Sequence, residues 1–174
     1  ANEPRCQHEP KKTYEINHPG SVALAKAAKD AGISRFVDAS SCSIYGAAAD
    51  GTRSEESEPD PQTAYAHCKM LVERDVQALA DDGFSPTFLR NATAFGASPR
   101  IRFDVVLNNL AGLAWTTGRI TLTSDGMPWR PPVHVQDIGS AVAAPLHAPR
   151  EPVAHPVLDI ARHTTDHTRP HTPR

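Results

Sequence analysis

Residues 34–46 read SRFVDASSCSIYG, and the assignment of this stretch decides the fold. The run SRFVDAS (34–40) is short, suited to a pleated strand, and follows Gly32. It predicts a buried strand. Ser40, Ser41 and Ser43 then stand where that strand ends, and a loop rich in Gly, Ser, Glu and Pro continues to about Gln62.

Helical patterns flank the strand on both sides. Residues 1–12 are polar, carry Pro4 and Pro10, and read as an irregular lead-in. From Thr13 the pattern turns helical, broken locally by HPG (18–20). SVALAKAAKDAG (21–32) then sets Val22, Leu24, Ala25 and Ala28 on one side of a helix, with Gly32 at its C-terminal cap. After the loop a second helix is expected from about Thr63 to Ala80, ended by Asp82-Gly83. FSPTFLR (84–90) reads as the next strand, and RFDVVLNNLAGLAWTTG (102–118) as a helix that stops at Gly118. RITLT (119–123) reads as a strand, SDGMPWRPP as a loop and VHV (133–135) as a short extended piece. Asp137 is the expected N-cap of a final helix to about His147. Strand and helix alternate with short connections, which argues for an α/β fold with a mainly parallel sheet.

Bulk properties narrow the function. The 174 residues suffice for one domain with a real core. A net charge of −2, with acids and bases scattered, gives no footprint for nucleic acid or a membrane surface. No apolar run reaches the length of a membrane span, and the start lacks the layout of a secretory signal. Cys6, Cys42 and Cys68 fit neither a disulfide framework nor a zinc spacing, so the cytoplasm is the expected compartment. No internal repeat is present. His155, His163, His167 and His171 lie in a proline-broken tail without converging acids or thiols, so no metal site is expected there.

Chemistry concentrates in the middle of the chain. Residues after a strand of a parallel sheet lie at its carboxyl edge, where such folds place ligands. There the helix beginning TAYAHCK (63–69) presents Tyr65 and Lys69 at i, i+4, on one face and roughly 6 Å apart at their Cβ atoms. An ammonium beside a phenol favours the phenolate, lowering the tyrosine from its ordinary pKa of about 10. Such a phenol can take a proton from an alcohol, and a serine hydroxyl nearby can steady the charge that develops. The hydride released with that proton needs an acceptor that no side chain supplies, which implies a nicotinamide cofactor.

RFVDASSCSIYG, the acidic loop leading into SEESEPDPQTAYAHCK, FSPTFLRNATAFG and PWRPPVHVQDI occur in order across about Thr13–Pro149. Together they resemble the extended short-chain dehydrogenase/reductases, specifically the NAD-dependent epimerase/dehydratase family that acts on nucleotide sugars. The resemblance implies a partial Rossmann-type, doubly wound α/β fold with a mainly parallel sheet and a small, incomplete C-terminal substrate-binding part. Its expected layout is a catalytic core at 1–100, an interleaved substrate-binding region at 101–150 and a disordered tail at 151–174.

By the same resemblance Ser41, Tyr65 and Lys69 form the catalytic set, with Tyr65 the acid/base and Lys69 also holding the nicotinamide ribose. Ser41 is chosen because it stands four residues before Tyr45 of the Tyr-Gly pair. Ser40, Tyr65, Lys69, Asn91 and Thr93 are the expected cofactor contacts. Ser41, Asn108, Asn109 and Arg130 are the expected substrate contacts, and Asn17 supports the site. The implied cofactor is NAD, with NADP the other form; the implied partner is a nucleotide sugar, and a homodimer is the expected assembly.

Two departures shape the functional expectation. Where the family's 4,6-dehydratases carry Asp-Glu after the catalytic hydroxyl, this chain has Cys42-Ser43, which favours 4-epimerisation or simple oxidation and reduction. The family's opening strand and glycine-rich turn, which cradle the cofactor pyrophosphate, have no counterpart before Gly20. The expected function is therefore an NAD(P)-dependent nucleotide-sugar epimerase or oxidoreductase, as a truncated member. The alternatives are a non-catalytic remnant acting as a binding domain and a reductase of a non-nucleotide carbonyl.

Overall fold

The computed structural model describes residues 9–46, 53–122, 131–149 and 157–161. Two helices come first, α1 (Pro10–Asn17) and α2 (Pro19–Asp30). Helix starts three residues before the expected Thr13, because Pro10 sits in the first turn, where its fixed φ suits the helix and its missing N–H costs nothing. Pro19 repeats the device, so HPG divides two helices instead of denting one. Ala31 caps α2, and Gly32 follows it with φ 75°.

Strand β1 (Arg35–Ser41) leads through a 3-10 turn (Cys42–Tyr45) and the acidic loop to α3 (Ala64–Gln77) and then β2 (Ser85–Asn91). β1 and β2 run parallel in register from Arg35↔Ser85 to Ser41↔Asn91, with α3 as the crossover helix. After β3 (Thr93–Phe95) come α4 (Val106–Thr117), β4 (Pro132–His134), α5 (Val135–His147) and β5 (Val157–Ile160). β5 adds to the free side of β2, parallel, from Phe88↔Val157 to Asn91↔Ile160, giving the order β1-β2-β5. Pro86 is tolerated in this central strand because the described ladder to β5 begins two residues after it. β3 and β4 form a separate parallel pair, Thr93↔Pro132 to Phe95↔His134.

The core lies where α2 and α3 meet the sheet. Ala25, Val72, Val76, Phe84 and Phe88 are buried together, with Val22, Ala28, Phe36, Leu79 and Val157 packed around them. α5 packs against β1, β2 and β5. Its last turn is fastened by the Arg35 guanidinium, which donates to the Pro145 and Ala148 carbonyls left open at the helix end.

The expected α/β class with parallel strands is what the chain adopts, and four local expectations are corrected. Residues 119–122 form no strand, since β propensity alone cannot hold a strand without a ladder partner. Asp137 does not cap α5; the His134 ring accepts the Gln136 N–H at 3.3 Å, and Asp137 lies in the first turn. α3 ends at Gln77, ahead of a tight turn at Asp81–Phe84 whose Gly83 and Phe84 amides donate to Asp81. β5 (Val157–Ile160) falls inside the stretch 151–174 expected as a disordered tail, held as a strand by its ladder to β2, and β3 is a strand without a clear period in the sequence.

Candidate active site

Ser41 is the last residue of β1 and the N-cap of the 3-10 turn, its Oγ accepting the Ser43 N–H at 3.2 Å. The turn is closed by Gly46, whose φ of 67° suits glycine alone and which leaves no space for a Cβ against the Asp60 carbonyl. The Asp60 N–H in turn donates to the Ile44 carbonyl at 2.9 Å, tying the acidic loop back to the turn. This turn packs on α3. The turn that follows Ser41 and the helix carrying Tyr65 and Lys69 therefore pack together just past the carboxyl end of β1.

Thr63 starts α3, its Oγ1 accepting the Ala66 N–H at 3.2 Å. Tyr65, Lys69 and Glu73 follow at intervals of four, and Lys69 and Glu73 of this stripe reach the sheet. Along β1 successive side chains alternate, so Asp38 and Ser40 share one face. Each meets that stripe: Lys69 Nζ stands 3.5 Å from Asp38 Oδ1, with both side chains nearly buried, and the Ser40 hydroxyl donates to Glu73.

Glu73 belongs to a polar network that the sequence reading missed. Its carboxylate takes the Arg90 guanidinium through three contacts, at 2.6, 3.0 and 3.2 Å, with both side chains more than nine-tenths buried. Arg90 Nη1 also donates to the Tyr45 hydroxyl at 2.7 Å, and that hydroxyl donates to Asp159 at 2.8 Å. The Asp159 N–H donates to Glu55 of the acidic loop at 2.8 Å. One connected set of bonds thus joins β1, the 3-10 turn, α3, β2 and β5 beneath the candidate site. Burial is the main reason the Tyr45 phenol is held above its ordinary range, and its bonds to Arg90 and Asp159 make it a hydrogen-bonding strut. Burial likewise pushes the Cys42 thiol up to about 12, which removes it as a nucleophile; its Sγ donates to the Arg90 carbonyl.

The remaining expected residues divide. Asn91 ends β2 beside Ser41, its amide donating to the Leu89 and Ser40 carbonyls while its Oδ1 is buried without a partner. The Ser43 hydroxyl is buried and unpartnered in the same region. Thr93 opens β3, its N–H on the Pro131 carbonyl. Ser40 is 3% exposed with its hydroxyl committed to Glu73. Asn108 and Asn109 stand in the first turn of α4 and donate to the Arg102 and Phe103 carbonyls, bracing the loop ahead of the helix. The Asn17 amide donates to the Thr13 carbonyl of its own helix. Arg130 and the tail histidines lie outside the described residues. Among the described residues no group of His, Cys, Asp or Glu is arranged to hold a metal, and no helix is long and apolar enough to cross a membrane.

A UDP-glucose 4-epimerase of Neisseria meningitidis serogroup C is 30% identical over 161 residues, covering 80% of this chain and 47% of that protein. One of Lactobacillus helveticus is 33% identical over 97 residues, covering 55% and 29%. The chain thus spans less than half the length of these relatives. Among solved structures, MoeE5 in complex with UDP-glucuronic acid and NAD superposes with a TM-score of 0.71 at 33% identity, over 83% of this chain and 48% of that one. The NDP-hexosamine 5,6-dehydratase TunA shares the fold, with a TM-score of 0.78 at 21% identity, over 93% and 52%. The model of the NAD dependent epimerase/dehydratase family matches residues 1–161, and the chain belongs to that family.

Proposed function

We propose that this chain carries the acid–base half of an NAD-dependent nucleotide-sugar epimerase that inverts the hexose at C4. The observation that supports the reading best is the packing of the 3-10 turn that Ser41 caps against α3, the helix that carries Tyr65 and Lys69, just past the carboxyl end of β1. The relatives named as UDP-glucose 4-epimerases and the NAD complex of MoeE5 support the choice of reaction and cofactor.

In this reading Tyr65 removes the proton from the sugar 4-hydroxyl and later returns it, while Ser41 hydrogen-bonds the same oxygen. Lys69 lowers the tyrosine's pKa and holds the nicotinamide ribose. The residues present fit the nicotinamide end of a dinucleotide: the unpartnered Asn91 Oδ1 and Ser43 Oγ mark a place where a polar ligand completes the hydrogen bonding. Asn91 and Thr93 flank that end, and Asn108, Asn109 and Arg130 serve the nucleotide diphosphate. When bound, NAD supplies the hydride acceptor and donor that the side chains lack. Cys42-Ser43 offers no carboxylate pair for eliminating water, which favours epimerisation over 4,6-dehydration.

The test is incubation of the protein carrying this chain with NAD and UDP- or dTDP-hexoses, following C4 epimers by chromatography. Epimer interconversion that falls roughly 100-fold or more in Tyr65→Phe is expected. Absence of turnover with every sugar, or turnover indifferent to Tyr65→Phe, rejects the reading.

A further inference from the structure

We infer that Asp38 is a positioning residue for Lys69 and thereby sets the pH at which Tyr65 gives up its proton. The inference rests on the reading of Tyr65 and Lys69 as an acid–base pair. A carboxylate in the middle of a mostly apolar strand is costly to bury and needs a partner. Asp38 finds one in Lys69 at 3.5 Å, where the two side chains are only 13% and 12% exposed. The ammonium meant to stabilise a Tyr65 phenolate is therefore shared with a fixed negative charge.

Other charged groups around α3 have partners of their own. Glu73, on the same helix face, is held by Arg90 of β2 and by Ser40 of β1. His18, between α1 and α2, pairs with Asp75 at 2.7 Å, and Arg74 pairs with the same carboxylate. Tyr45 of the 3-10 turn donates to Asp159, which accepts it from β5. Asp38 is the carboxylate that the fold sets against Lys69. By pairing with the ammonium it draws the charge of Lys69 away from the phenolate, which raises the pH at which Tyr65 ionises. Asp38 thus keeps Tyr65 protonated to higher pH than a Tyr-Lys pair alone would.

The phenol can be titrated without cofactor or substrate. Tyrosinate absorbance is followed with pH in the 174-residue chain and in Tyr65→Phe, in each Asp38 background; the difference isolates Tyr65 from Tyr14 and Tyr45. The Tyr65 midpoint is expected to fall by about one pH unit in Asp38→Asn and to stay near its original value in Asp38→Glu. Asp38→Ser carries the same expectation as Asp38→Asn and decides the matter should the asparagine variant misfold. A midpoint unmoved by removing the carboxylate makes the pair a plain structural ion pair and overturns the inference. A midpoint that shifts in a protein inert toward every nucleotide sugar keeps the inference and rejects the proposed reaction. Sugar turnover with an unmoved midpoint does the reverse.

Discussion

The guanidinium of Arg90 stands over the ring of Tyr45, its central carbon 4.9 Å from the ring centroid, and also donates to the same residue's hydroxyl at 2.7 Å. One side chain thus grips another through its face and through its oxygen. Glu73 holds the opposite edge of the guanidinium, so Arg90 is fixed from two directions. The 3-10 turn that carries Ser41 at one end and Tyr45 at the other is thereby anchored to β2 and α3. Under the proposed function Ser41 presents its hydroxyl to the substrate from this turn, and an anchor of this kind serves that role, because a small displacement of a reacting group is costly.

Arg90→Ala is expected to destabilise the chain by about 3–5 kcal/mol in urea unfolding, since it strands a buried Glu73 carboxylate. Replacing both partners, as Arg90→Met with Glu73→Leu, is expected to cost clearly less than Arg90→Ala alone, because no unpaired charge remains. A double variant as unstable as the single one contradicts this account of the pair.

Asp159 carries the pH dependence of the same network. Burial, ahead of the nearby Glu55 charge, holds its carboxyl above the ordinary range, against the Tyr45 hydrogen bond and the Arg90 charge, which pull it down. The folded chain therefore binds this proton more tightly than the unfolded chain. Its contribution to stability is complete below the unfolded value of about 4 and is lost as pH rises through the raised folded value. Asp159→Asn keeps an acceptor for Tyr45 and removes the titration. Thermal melts from about pH 4 to 7 are expected to show the wild type losing stability relative to Asp159→Asn as pH rises. A constant gap between the two contradicts the assignment.

Local pattern explains what the sequence made legible. β1, α3 and β2 follow from apolar runs and helical spacing within single segments, and the Tyr65/Lys69 face follows from the helix repeat. The anchoring network was illegible because its members are far apart: Tyr45 and Asp159 are separated by 114 residues. β5 was missed for the same reason, since four residues become a strand only through the ladder to β2. Arg90 carries one legible signal, a charge inside the apolar run TFLRN. Such a charge in a buried strand implies a buried partner. Asp38 gave the same signal, and only the packing of α3 over β1 identifies Lys69 as its partner.

Gly46→Ala is expected to cost about 2 kcal/mol or more. The residue has φ 67°, and its absent Cβ is the space taken by the Asp60 carbonyl. The substitution forces the acidic loop off the 3-10 turn, so protection of the Asp60 amide, which donates to Ile44, should fall in hydrogen exchange. A variant with wild-type stability and protection rejects the close approach.

Thr63 governs the end of α3 that holds Tyr65. Its Oγ1 accepts the Ala66 N–H, and Thr63→Ala leaves the first-turn amides without that acceptor. A loss of about 1 kcal/mol is expected, largely restored in Thr63→Ser, which keeps the oxygen. Fraying starts at a helix terminus, so the loss has a direction along the helix. Tyr65 lies in the first turn and Lys69 one turn further in, so amide exchange in Thr63→Ala should quicken from Ala66 toward Cys68 while the Val72–Val76 region, packed in the core, keeps its protection. Uniform loss of protection along α3 contradicts a capping role, because it means the substitution acts on the core and not on the helix end.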